Sequence, residues 1–148
     1  MSCGLTELYG KESTLKEYSG FGMEFTFKLK KDDFDDEEAE LKGICNTMQT
    51  LAKVTFDQGM LFRPNESIYT GQTQGIDAKM LSKITGFITA LDSSLGSIDT
   101  PHGKVDFVCL VGATDEELKA IQRKELSVEE LLEKLGTDVT DYKRDSVI

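Results

Sequence analysis

Between Ser19 and Lys30 apolar and polar positions alternate. Phe21, Met23, Phe25, Phe27 and Leu29 share one side, and Glu24, Thr26, Lys28 and Lys30 the other. This two-residue period predicts a strand over residues 20–30, with one packed face and one wetter face. Gly20 and Gly22 open it and permit a positive-φ approach that other residues make only at a cost. Upstream, residues 3–18 carry Leu5, Leu8, Tyr9, Leu15 and Tyr18 without a clean period, which reads as a short ordered lead-in with a turn at Tyr9-Gly10-Lys11. After the strand the period lengthens. From about Asp36 to Asp57, Leu41, Ile44, Cys45, Met48, Leu51, Ala52 and Phe56 recur at three- and four-residue steps, the mark of a long amphipathic helix whose apolar stripe lies on the sheet. Gly59 is its expected stop, and Gly43 weakens it by about 1 kcal/mol relative to alanine.

Residues 60–80 are irregular, with a turn at Arg63-Pro64-Asn65-Glu66-Ser67 and a short edge strand at Ile68-Tyr69. Lys83–Leu91 reads as a strand broken by Asp92-Ser93-Ser94, and Thr100-Pro101-His102-Gly103 as a turn. Val105–Val111 is nearly continuous in apolar residues, as a central strand covered on both faces requires; Gly112-Ala113 are expected to end it. Thr114 with Glu117, and Ser127 with Glu130, have the capping-box spacing of two short helices, the second stopped by Gly136. Val139–Val147 is expected to return as a short last strand. Strand, helix, loop, strands and helices without a regular βαβ repeat predict an α+β fold: one mixed-sheet domain with one long amphipathic helix and two short C-terminal helices.

Composition narrows the function. The 148 residues fit one domain, and no stretch of about 20 apolar residues or basic-then-apolar leader is present, so a cytoplasmic protein that neither enters a membrane nor is exported is expected. The balance of 17 basic to 27 acidic residues gives a formal net charge of -10, which repels nucleic acid and anionic membrane and attracts basic partners. Seven of those acids lie between Asp32 and Glu40, either as a solvated helix start or as a docking patch for a basic partner. Their spacing does not fit a calcium loop. Cys3, Cys45 and Cys109 are odd in number and widely separated, against a disulfide framework or a zinc site. Cys45 belongs to the helical stripe and Cys109 to a strand, both positions where small thiols are commonly buried. A Cys–His nucleophile would need His102 to meet Cys109, and Gly20-Phe21-Gly22 precedes a strand where a phosphate loop would follow one. No enzyme, cofactor or metal is expected.

Taken together, the stretch Ser19–Lys30, Gly4-Leu5-Thr6-Glu7-Leu8-Tyr9-Gly10 before it, and Leu51-Ala52-Lys53-Val54-Thr55-Phe56 after it resemble the suppressor-of-fused family. So do Thr100–Phe107, Val111-Gly112, Thr114-Asp115-Glu116-Glu117-Leu118 and Val139-Thr140-Asp141, in the family's order and spacing across nearly the whole chain. The resemblance implies a suppressor-of-fused-like domain over residues 1–148 that lacks the family's front, because the family domain begins upstream of the Gly4–Gly10 motif. Missing front elements would expose apolar surface and favour weak self-association. In animals the family member is a cytoplasmic negative regulator of Hedgehog signalling that grips a peptide of a zinc-finger transcription factor between two domains. Glu66 falls where that protein has an acidic residue facing the peptide; Val54 falls where it has a helix tyrosine, a departure that weighs against the same partner. Bacterial relatives are often single domains in polymorphic toxin loci, thought to bind and neutralise a cognate toxin.

The expectation is therefore non-enzymatic protein binding, with toxin immunity leading and a regulatory or scaffold module as the alternative. Asp32, Asp33, Asp35, Asp36 and Glu66 are the expected steering charges for a basic toxin domain, with Tyr69 as packed anchor and Gln72 beside it.

Overall fold

The alternating stretch is a strand, and the continuous apolar run lies beside it at the centre of a sheet. The computed structural model describes residues 1–6 and 17–148; the expected turn at Tyr9-Gly10-Lys11 lies outside them. In chain order the elements are β1 (Tyr18–Phe27), α1 (Glu37–Gln58), β2 (Ser67–Ile68), β3 (Ile84–Leu91), β4 (Ser97–Thr100), β5 (Gly103–Thr114), α2 (Asp115–Gln122) and α3 (Val128–Leu135). They form one mixed sheet in the order β1-β5-β3-β2, with β4 also paired to β5. Met23–Phe27 run parallel to Asp106–Leu110, and β3 and β4 run antiparallel to β5. Both faces of β5 are covered, as its composition predicts. Val108 and Leu110 pack with Met23, Phe25, Phe87 and Met48 of α1, while Cys109, Val111 and Ala113 pack with Ile88, Leu118, Val128 and Leu131.

β1 starts at Tyr18 and ends at Phe27, shifted from the expected 20–30. Between Tyr18↔Lys104 and Met23↔Asp106 five steps of β1 match two of β5, a bulge made with Gly20 at φ 56° and Gly22 at φ 74°. β5 runs through Gly112-Ala113 to Thr114 instead of stopping there. Gly112 is in the strand because no side chain fits: an added Cβ would lie 2.6 Å from Ile84 Cγ2 and 2.6 Å from Thr140 Cγ2. β4, which the sequence did not suggest, is a short strand whose first three residues are exposed. The expected strand over Val139–Val147 is absent. Thr140 instead makes a single parallel bridge with Leu29, where β1 and β5 part. Its N–H donates to Lys28 O at 2.7 Å, its carbonyl accepts from Lys30 N–H at 2.8 Å, and its hydroxyl accepts from Gly112 N–H at 2.8 Å.

The long helix forms where its period places it, but rolled about its axis. Asp36 caps it by accepting from Ala39 N–H at 3.1 Å, and Gly59 ends it at φ 69°. Glu40, Met48 and Thr55 are its buried residues, whereas Leu41 is 52% and Phe56 69% exposed and Cys45 is exposed too. The roll follows from the loop at residues 76–83, which draws Glu40 inward: both carboxylate oxygens accept from Ala78 N–H, at 3.2 and 3.1 Å. Capping boxes at Thr114/Glu117 and Ser127/Glu130 start α2 and α3 as expected.

The wetter face of β1 is not wet. Glu24 and Thr26 are each 5% exposed. Glu24 Oε1 accepts from the N–H groups of Gly4, Leu5 and Thr6 at 3.0–3.1 Å, and Oε2 from Ser2 Oγ at 2.5 Å. The N-terminal residues thus satisfy the carboxylate they cover. Thr26 Oγ1 donates to Asp92 Oδ2 at 2.6 Å, and Lys28 Nζ lies 3.2 Å from Asp92 and 2.6 Å from Asp138. Burial opposes the Asp92 charge, but hydrogen bonds from Thr26, Leu95, Ser94 and Lys28 outweigh it and hold the carboxyl down at about 2. A second buried acid, Glu117, is 0% exposed. Arg144 donates to both its oxygens at 2.7 Å and to Gly112 O at 2.9 Å, while Thr114 N–H and Val147 N–H donate at 2.9 and 3.0 Å. Burial opposes this charge as well; the guanidinium and the two N–H groups keep the carboxyl below its ordinary range.

Four outcomes are expected. Gly112→Ala lowers stability in urea unfolding by about 1–3 kcal/mol through overpacking. Gly43→Ala, whose added Cβ meets no atom within 4 Å, raises it by up to about 1 kcal/mol. Asp92 has a folded value of about 2 against 3.8 for the free group, so its contribution is present above about pH 4 and is lost as pH falls toward 2. Asp92→Asn should flatten that part of an acid-unfolding curve and remove on the order of 2 kcal/mol at neutral pH. Arg144→Leu strands the Glu117 charge and should cost about 3–5 kcal/mol, read by the same urea titration.

Candidate interaction site

The acidic run ahead of α1 does not form one free patch. Asp32 pairs with Lys143 at 2.9 Å, Asp35 pairs with Lys79, Asp36 is spent as the helix cap, and Glu38 pairs with Lys42 at 2.9 Å. Asp33 and Glu37 are exposed, and among the described residues their carboxylates take no hydrogen bond or ion pair. Lys143 donates to Asp32, and with the Asp33 N–H also donating to it the carboxyl lies below its usual range. Exposed pairs of this kind contribute little to stability, so the same carboxylates stay available for exchange with an outside cation.

Asp33, Asp35 and Asp36 form one wall of an open groove of about 580 Å³. The 76–83 loop forms the opposite wall and the segment Tyr142–Asp145 closes the end. Three features build the loop. Asp77 accepts from Leu81 N–H at 3.1 Å and Ser82 N–H at 2.9 Å; Ile76 N–H donates to Ile84 O at 2.8 Å; and Met80 turns the chain at φ 58°. That turn lifts Leu81 into solvent at the rim, where it is 80% exposed, the most exposed large apolar side chain described. Two ion pairs span the opening, Lys79 with Asp35 and Lys83 with Asp145. The rings of Phe34 and Tyr142 meet edge to face in the groove, with centroids 6.2 Å apart.

The other expected contact residues lie elsewhere. Glu66 follows the Pro64 turn and its Oε2 accepts from Arg63 N–H at 3.1 Å. It sits level with Thr89, whose N–H donates to Glu66 O at 2.8 Å. The groove sits by Ile84, five residues along β3 and therefore about 16 Å away. Tyr69 packs against the core on the α2–α3 side, its hydroxyl 3.5 Å from Asp115 Oδ1, so it faces away from the acids it was expected to anchor. Gln72 donates to Gln74 O at 2.9 Å and lines a hollow together with Thr47 and Met80, next to the loop. Val54 is half-buried on α1 and is not in the groove. Sequence reasoning missed Phe34, Leu81 and Tyr142; the one signal was a lone aromatic inside an acidic run.

His102 and Cys109, the pair that a Cys–His nucleophile would need, are not brought together. His102 lies in the turn from β4 to β5, and Cys109 is six residues beyond Gly103 along β5, about 20 Å away. Burial pushes the Cys109 thiol up to about 11, far from a thiolate. Asp92, Cys109 and Asp138 bring two carboxylate oxygens and a sulfur within 4.8 Å of one another, the only such group among the described residues. The Lys28 ammonium already lies against both carboxylates, and burial keeps the thiol protonated, so these residues fit the half-buried Lys28 better than a metal ion.

Among the described residues no helix is long and apolar enough to cross a membrane. The family described as Suppressor of fused protein (SUFU) matches residues 1–145. The Suppressor of fused homologs of Homo sapiens and Mus musculus are each 30% identical over 129 residues, covering 83% of this chain and 25% of theirs. The chain thus spans about a quarter of the length of these relatives. The crystal structure of a Sufu–Fu complex superposes with a TM-score of 0.77 at 28% identity, over 97% of this chain and 67% of that one. Drosophila Suppressor of Fused gives 0.74 at 30% identity, over 98% and 37%. With the family match extending over residues 1–145, this chain belongs to the suppressor of fused family.

Proposed function

We propose that this chain is a non-enzymatic protein-binding domain that neutralises a basic partner, in the manner of an immunity protein covering the working surface of a toxin. The carrying observation is the net charge of -10 combined with the groove ahead of α1, where the exposed Leu81 stands among carboxylates, two of them, Asp35 and Asp145, paired only with exposed lysines. An exposed apolar side chain beside charged groups suits a protein interface, and complementary fields speed encounter with a cationic surface. The separation of His102 from Cys109 removes the Cys–His version of the enzymatic reading. A regulatory module that binds an endogenous client is the second reading, supported by the likeness to a protein solved as a Sufu–Fu complex.

The test is capture of partners from native lysate on the immobilised chain at low and at high salt, followed by identification of what is bound. A basic toxin domain held at low salt and released at high salt is the expected result. A client bound equally at both salts would remove the electrostatic account and favour the regulatory reading. With the partner in hand, Asp33→Lys combined with Glu37→Lys should slow association severalfold and lower the thermal midpoint only slightly, because neither carboxylate takes a hydrogen bond or ion pair and only Glu37 loses a favourable place in the first turn of α1.

A further inference from the structure

We infer that the outward stripe of α1 is a self-association surface, on which a second copy of this chain packs its own α1 antiparallel about a two-fold axis. Neither the groove nor the partner reading above enters into it.

The stripe exists because the helix is rolled. Leu41, Cys45, Ala52 and Phe56 fall within about 60° of one another around the helix. They stand about 80° from the buried line of Glu40, Met48 and Thr55. Leu41 is 52% and Phe56 69% exposed, Cys45 is exposed and Ala52 half-buried. Phe56 is set in its outward place by the ring of Phe21, edge to face with centroids 6.3 Å apart. Past the helix end, Met60 and Leu61 are exposed as well and continue the apolar surface.

The order of sizes along the stripe identifies the occupant. Leu41 and Phe56 lie equally far on either side of the point between Met48 and Gln49, and so do Cys45 and Ala52. A two-fold axis beside that point carries the stripe onto itself. Leu41 then meets Phe56 of the second copy at both ends, and Cys45 meets Ala52 of the second copy at both inner positions, the reciprocal contacts of an isologous interface. The small inner pairs let the helix axes approach to roughly 8 Å, and the large outer pairs close the ends.

Charge selects the direction. Seven acids lie between Asp32 and Glu40, at the start of α1. A parallel pair would bring two such runs together. An antiparallel pair holds them a helix length apart, about 33 Å for 22 residues, several times the ~8 Å screening length at physiological salt. The contact removes far less than the roughly 1,200 Å² of a stable complex, so the dimer is weak and forms as concentration rises. Two chains of net charge -10 repel each other, so added salt strengthens this contact, opposite to its effect on a cationic partner.

The test is sedimentation velocity of the full chain from micromolar to millimolar concentration, at low and at high salt. The weight-average mass should rise from one chain toward two, and more steeply in high salt. Leu41→Glu and Phe56→Glu, each checked for the native circular dichroism spectrum, should weaken association by about fivefold or more. Leu95→Glu, which changes a side chain of similar exposure (46%) between β3 and β4, should leave it unaltered. In this register Lys42 comes beside Lys53 of the second copy, so Lys53→Glu should tighten the dimer. Cys3 is the other exposed thiol and is removed as Cys3→Ser for crosslinking. Adding Ala52→Cys and oxidising with diamide should then give a dimer joined by two disulfides, because facing positions lie within disulfide reach. Cys3→Ser alone should give none, since the two copies of Cys45 sit about 10 Å apart along the helix axis. A chain that stays monomeric at millimolar concentration in high salt would overturn the interface. So would a loss with Leu95→Glu equal to that with Leu41→Glu, or crosslinking through Cys45 without Ala52→Cys. Capture of a cationic partner at low salt is read separately, so either reading can fall while the other stands.

Discussion

A carboxylate with no access to water holds the C-terminal segment against the sheet. Glu117 sits in the first turn of α2, directly after the central strand, and closes the capping box with Thr114. Its remaining capacity is taken by the two-pronged contact from Arg144 and by the Val147 N–H. Burying a charge is costly unless every lone pair is met, and here four donors meet it. Residues Tyr142–Asp145, which include Arg144, form the end of the groove, so the geometry of the candidate site depends on a carboxylate outside it. Thr140 extends the same support by filling the gap where β1 and β5 diverge.

Several of the described acids are engaged in the fold. Glu24, Asp92 and Glu117 are buried and satisfied, Asp36 is a cap, and Asp32, Asp35 and Asp138 hold lysines. The net charge of -10 still sets the field, since pairing an acid with a base leaves the overall excess unchanged. Long-range attraction follows the total, whereas local recognition follows which pairs are exposed and exchangeable. On that criterion the opening flanked by Lys79 and Lys83 differs from the cluster of Lys28, Asp92 and Asp138, where Asp92 is buried beneath the sheet's polar face.

Local chemistry by itself determined the strand after Gly20-Phe21-Gly22, the limits of α1, the doubly covered β5 and the two capping boxes. Each depends on residues within a few positions of one another: an alternation, a three-to-four period, or a hydroxyl three residues before a carboxylate. It also carried the family, whose motifs are short and ordered along the chain. What only the tertiary structure decided are relations across long separations. Lys28 meets Asp138 across 110 residues and Lys79 meets Asp35 across 44. The roll of α1, which leaves Leu41, Cys45 and Phe56 outward, comes from Ala78 drawing in Glu40, and no helical period contains that contact. The polar side of β1 looks solvent-facing by alternation and is buried because Ser2–Thr6 and Asp92 bring it partners. Periodicity reports that two faces differ in polarity; which of them meets water depends on what the rest of the chain places there.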